Sequence, residues 1–151
     1  MAETAIRVRE VMRTELITLE KDEHLTLASD LMKLGRIRHM PVLSHDRLVG
    51  IVTQRDLFRA AVSSVLGFRP AAEREWLTKI RVAEVMTKDV VTAGPDWPVS
   101  QAVDVMLERC IGCLPVVDGE RLVGLLSETD CLRLLARFLS PAGTSAGVVS
   151  S

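Results

Sequence analysis

The 151-residue chain has no tyrosine, two tryptophans and three phenylalanines. A core built from it must be made of Leu, Val, Ile, Ala and Met, which suits small α/β layers. Its three cysteines, Cys110, Cys113 and Cys131, are too few and too odd in number for a disulfide framework, so reduced thiols are expected. An excess of one charge is also lacking: nineteen Lys and Arg against twenty Asp and Glu give a formal net charge of −1. Phosphate-backbone binding relies on a positive field, so nucleic acid is not an expected partner. No apolar run approaches the roughly 18 residues needed to cross a bilayer, and Met1–Glu10 lacks the apolar stretch of a secretory signal. The expectation is a cytoplasmic protein with no membrane partner.

What the chain does contain is repetition. "LVGIVTQRD" at Leu48–Asp56 returns as "LVGLLSETD" at Leu122–Asp130, and the two aspartates stand 74 residues apart. Sliding the chain by 74 lays Val8–Ala60 on Val82–Leu134 without a gap, with eighteen of fifty-three positions identical. That density marks a duplication.

Each unit reads as β-α-β-β-α. "VREVM" and "VAEVM" open the units and lead to extended "LITL" and "VVTA", after which corners containing Asp22 and Asp96 introduce helices. In "LTLASDLMKLG" the residues Leu27, Leu31 and Leu34 fall at helical spacing beside Ala28, with Gly35 as the expected stop. "VSQAVDVMLER" repeats the pattern, with Pro98 where a helix tolerates proline. Two β-like runs follow, "HMPVL" and "RLVGIVT", joined by "SHD" and in the second unit by "DGE", the stronger hairpin signal. A second helix near 54–66 and 128–139 closes each unit. The expected division is a first unit at 8–66, a charged connector at 67–81, a second unit at 82–139 and a disordered tail at 140–151. Within the connector, a short helix around Ala72–Lys79 and a surface position are expected.

"EVM" at Glu10–Met12 and Glu84–Met86, "IRHMPV" at Ile37–Val42, "IGCLPVV" at Ile111–Val117, "GIVTQRD" at Gly50–Asp56 and "GLLSETD" at Gly124–Asp130 form an ordered set present twice. This set resembles a tandem CBS domain pair, the Bateman module. The resemblance covers about residues 8 to 139 and implies an α/β (α+β) fold of two β-α-β-β-α units packed about a pseudo-twofold axis. It also implies binding of adenosine-containing ligands (AMP, ADP, ATP or related) in clefts between the units, and regulation of an effector protein that the sequence does not identify. No length remains for a catalytic domain, so no enzyme and no catalytic residue are expected.

Thr53 and Ser127 each end a strand and start a helix, with Asp56 and Asp130 three residues on. One reading is capping: the hydroxyl accepts from a first-turn N–H and the carboxylate sits at the positive helix end. The other is a nucleotide site, with the carboxylate accepting from ribose hydroxyls and the hydroxyl and free N–H groups facing phosphate. The two are compatible. By resemblance, the adenine slot draws on Ile17, Thr18, Val91, Thr92, Met40, Pro41, Leu114, Pro115, Ile51 and Leu125, although any of these aliphatics could equally be plain core. Arg38, His39 and Arg55, with Arg36 nearby, give the first unit a basic set, against Gly112, Cys113 and Glu128 in the second. Either a phosphate preference for the first-unit surroundings or a solvated basic edge would explain it. "CIGC" at Cys110–Cys113 has no second C-x-x-C or histidine pair, so buried small residues are expected there rather than a metal or redox site. No cofactor is required.

The expected function is a non-enzymatic sensor of adenosine-containing ligands, a homodimer through its helices. The alternative is a dimerisation or protein-interaction module that binds no small molecule.

Overall fold

Val8 begins the first repeat in the sequence, yet it is fully buried among the apolar residues of the second repeat. The computed structural model describes residues 4–62 and 70–141. The first unit runs through a 3-10 turn at Val8–Glu10, β1 (Leu19–Glu20), α1 (Leu25–Gly35), β2 (His39–Ser44), β3 (Arg47–Thr53) and α2 (Gln54–Val62). After α3 (Pro70–Leu77), the second unit follows as α4 (Val82–Val85), α5 (Val99–Arg109), β4 (Cys113–Asp118), β5 (Arg121–Ser127) and α6 (Glu128–Leu139). The fold is α+β.

In each unit an antiparallel hairpin carries the helices. β2 pairs with β3 from His39↔Thr53 to Ser44↔Arg47, and β4 pairs with β5 from Cys113↔Ser127 to Asp118↔Arg121. α1 buries Leu25, Ala28 and Met32, a helical stripe, against Met40, Val42 and Val52; α5 buries Val99, Ala102 and Met106 against Leu114, Val116 and Leu126. The stripe is shifted from the expected one. Leu31 packs against the first core, but Leu27 is exposed and Leu34 is 83% exposed.

Three further expectations need correction. Gly35 is the last residue of α1, and the left-handed stop falls one residue later, on Arg36 (φ 50°), as it does on Cys110 (φ 53°) after α5. The extended opening of the second unit shrinks to one parallel bridge, Ala93↔Val116. Proline explains this: Lys21 N–H donates to Leu43 O at 3.1 Å, and the matching residue 74 positions on is Pro95, which has no N–H. The connector is more than a charged surface loop. Leu77 of α3 is buried in the first core, Trp76 Nε1 donates to Ala60 O at 3.1 Å, and Arg74 grips both oxygens of Asp30 at 3.0 and 3.2 Å. The expected tail beyond Pro141, and the end of the second helix beyond Val62, lie outside the described residues.

The two units exchange their openings. Val8 N–H donates to Trp97 O and Val99 N–H to Ile6 O, while Val82 N–H donates to Glu23 O and Leu25 N–H to Ile80 O. Reciprocal backbone bonds join Arg13 with Leu125 (2.9 and 3.0 Å) and Thr87 with Ile51 (2.9 and 3.1 Å). A shift of 74 interconverts every one of these pairs, which is the pseudo-twofold. Accordingly Val82 is buried in the first core and Val8 in the second. Each burial is worth about 1.5–3 kcal/mol, so neither core is complete without a residue from the other unit. Among the described residues no helix is long and apolar enough to cross a membrane.

Candidate functional site

The recurring corner is built the same way in both units. Asp56 Oδ2 accepts from Thr53 N–H (2.8 Å) and Thr53 Oγ1–H (3.0 Å), and Thr53 Oγ1 accepts from Asp56 N–H (3.2 Å). Asp130 Oδ2 does the same with Ser127 at 2.9 and 2.9 Å, and Ser127 Oγ accepts from Asp130 N–H at 3.3 Å. These are capping boxes that satisfy helix-start donors, so the capping reading is correct at both corners. It uses one oxygen of each carboxylate.

The other oxygen differs. Asp130 Oδ1 faces Arg13 Nε at 3.5 Å and Arg133 at 3.9 Å, and its side chain is 5% exposed. Asp56 is half-buried, and its Oδ1 accepts no hydrogen bond and joins no ion pair among the described residues.

Asp56 opens onto a cleft of about 820 Å³, within the range of small-molecule sites. From the first unit come Arg38, His39, Ile51, Thr53, Arg55, Asp56 and Arg59; from the second come Thr87, Asp89, Val91, Gly112, Cys113 and Glu128. Two backbone bonds assemble this mouth: Gln54 N–H to Arg38 O (2.8 Å) and Glu128 N–H to Gly112 O (2.9 Å) hold the helix starts against the residues that enter β2 and β4. Arg38, Arg55 and Arg59 form no ion pair among the described residues, although Asp56, Asp89 and Glu128 line the same space. Burial pushes the His39 imidazole below its ordinary value and the positive charge of Arg38 pushes the same way, against Glu128 and Asp56. Burial thus favours the neutral form of His39.

Of the residues expected to bind ligand, Arg38, His39, Ile51, Thr53, Arg55, Asp56 and Val91 line this cleft. Met40 and Leu114 sit in the two cores, and Pro41 and Pro115 are fully buried. Thr18, Thr92, Leu125 and Ser127 are half-buried and Ile17 is exposed. The contrast between a basic first unit and Gly112, Cys113 and Glu128 in the second does not separate two clefts, because both sets line one.

Thr87, Asp89, Phe58 and Arg59 were not read from the sequence. Arg59 had a signal, since it recurs as Arg133; Thr87 enters only through the exchanged opening, which no local pattern announces. Cys113 is buried, as expected, and burial together with the Asp130 charge pushes its thiol up to about 12. Burial also raises the Cys131 thiol, with the charges of Asp130 and Glu128 adding to it. Cys110, expected to be buried, is exposed because it is the left-handed residue ending α5. No group of three or more His, Cys, Asp or Glu able to hold a metal occurs among the described residues.

Comparison with known proteins gives this geometry a family. The chain is 34% identical over 141 residues to a CBS domain-containing protein of Dictyostelium discoideum, covering 90% of this chain and 95% of that protein. It is 31% identical over 133 residues to a homoserine O-acetyltransferase of Methanohalobium evestigatum, where it spans 24% of the relative's length. Among solved structures, the CBS domain pair of protein MJ0100, in complex with 5′-methylthioadenosine and S-adenosyl-L-methionine, superposes with a TM-score of 0.77 at 27% identity, covering 89% of this chain and 99% of that one. The family model of the CBS domain matches residues 8–63 and again 82–137, the same offset of 74 that relates the two corners. The chain belongs to the CBS domain family and carries two such domains in tandem.

Proposed function

We propose that this chain is a non-enzymatic regulatory module that takes an adenosine-containing ligand in the cleft at Asp56. One observation carries the reading: three arginines without ion-pair partners among the described residues converge with a carboxylate oxygen that accepts no hydrogen bond there. Asp56 Oδ1 suits a ribose hydroxyl, Arg38, Arg55 and Arg59 suit phosphate, and Ile51 and Val91 offer apolar faces to a base. The MJ0100 pair, which holds 5′-methylthioadenosine and S-adenosyl-L-methionine, supports the ligand class. Calorimetric titration with AMP, ADP, ATP, 5′-methylthioadenosine and S-adenosyl-L-methionine tests it; silence across the whole panel would leave the ligand-free pairing module, for which the complete capping boxes suffice.

His39 gives the reading a pH dependence. Burial favours its neutral form and a bound polyphosphate favours the charged form, so ATP affinity should rise as pH falls below neutrality. The His39→Gln variant should flatten that profile. An unchanged profile would remove His39 from the phosphate site.

The module is also proposed to act as a homodimer through its helices, presenting its state to an effector protein. Leu107, Leu132, Leu135, Phe138 and Leu139 are exposed along α5 and α6, Leu107 at 71% and Phe138 at 70%, an apolar surface of the kind that marks an interaction site. Light scattering at micromolar concentration should return twice the 16.6 kDa chain mass. A monomer would contradict this assembly.

A further inference from the structure

The two corners share their capping boxes and differ in one residue that reaches the carboxylate from the other unit. Position 13, in the exchanged opening of the first unit, lies over the second corner; position 87, in the exchanged opening of the second unit, lies over the first. The reciprocal bonds Arg13–Leu125 and Thr87–Ile51 prove the equivalence. At the first corner this residue is Thr87, which lines the open cleft with Asp56. At the second it is Arg13, whose guanidinium lies against Asp130 Oδ1 at 3.5 Å. The helix residues below do not make the difference, because Arg59 and Arg133 are themselves a matched pair. Arg59 forms no ion pair among the described residues, whereas Arg133 stands 3.9 Å from Asp130 Oδ1.

We propose that Arg13 is a built-in plug: it occupies the oxygen of the second corner that a ribose would need, leaving one ligand site per chain, at Asp56. Oδ2 of each aspartate is committed to its cap, so Oδ1 is the oxygen available for recognition, and among the described residues that of Asp56 is unengaged while that of Asp130 is not. A ligand at the second corner must displace a guanidinium that already stands against that oxygen, so that a neutral ribose hydroxyl replaces a full positive charge beside a carboxylate that is 5% exposed. Arg13 is therefore a specificity-determining residue that acts by exclusion. The inference rests on the proposed ligand site at Asp56 only for the identity of the ligand class.

Titration of the full chain with ATP, comparing wild type with Arg13→Thr, tests it. Threonine copies residue 87, and the Arg13 side chain is 45% exposed, so the fold should survive; circular dichroism and the melting profile check this, and Arg13→Lys serves as a second variant that keeps the charge without the planar fork. The expected result is one ATP per wild-type chain and two per Arg13→Thr chain, the new site within about tenfold of the first in affinity. Adding Asp56→Asn to Arg13→Thr should return the count to one. Two sites in wild type, no gain of a site in a folded Arg13→Thr when wild type takes one, or loss of binding on removing Arg13 would each overturn the plug. If wild type takes no ATP while Arg13→Thr takes one, the plug stands and the Asp56 site fails; if neither binds, both fail.

Discussion

Replacing Gly124 with valine is expected to lower stability by about 3 kcal/mol, the upper end of what an overfilled core costs. A Cβ at Gly124 would run into Met12 Sδ and stand 3.1 Å from the backbone oxygen of Arg13. The methionine can turn aside, but the carbonyl cannot without breaking the Arg13–Leu125 bonds that pin the exchanged opening to β5. Gly50→Val should behave alike, since its Cβ would lie 2.5 Å from Met86 Sδ and 3.0 Å from Thr87 O. Because each core contains a residue from the other unit, both variants should still unfold in one transition in urea. A loss below about 0.5 kcal/mol, or two separate transitions, would contradict the exchanged arrangement.

The second large effect separates two aspartates that the sequence presents as equals. Asp130→Ala is expected to cost about 3 kcal/mol: the loss of a helix cap and of charge-assisted hydrogen bonds at a residue 6% exposed. Asp56→Ala should cost about 1 kcal/mol, because its corner is half-buried and water can serve the donors it leaves. The ion pairs of Asp130 add little to the difference, as Arg13 and Arg133 are 45% and 66% exposed and recover hydration. Chemical denaturation of the two variants side by side checks the order. Equal losses would mean that capping alone sets the stability of both corners.

The duplication, the positions of the long helices and hairpins and both capping corners were legible because each rests on local chemistry: the matched Leu-Val-Gly strands, the hydroxyl and carboxylate three residues apart, and a helical spacing that marks α1, although Leu27 and Leu34 are not on its buried face. What was not legible was contact between units. The openings at Glu10–Met12 and Glu84–Met86 look like parts of their own repeats, and only three dimensions reveal that Met12 covers Gly124 and Met86 covers Gly50. The same exchange brought Arg38 and Gly112 into one cleft instead of two, and put Arg13 rather than a threonine over the second aspartate. Pro95 shows the opposite case: its effect on the first strand of the second unit is local, and a missing N–H could have been read directly from the sequence.

The most direct test of the central claim is the affinity of the full chain for the same adenosine-containing ligands before and after Asp56→Asn. The substitution keeps the shape of the corner and a side-chain oxygen for the cap while removing the charge that would accept from a ribose. The predicted result is a loss of about 1–3 kcal/mol in binding, the range for a hydrogen bond to a charged group, with a smaller change in unfolding free energy. Unchanged affinity alongside a loss of stability would show that Asp56 only caps its helix and would contradict a ligand site in this cleft.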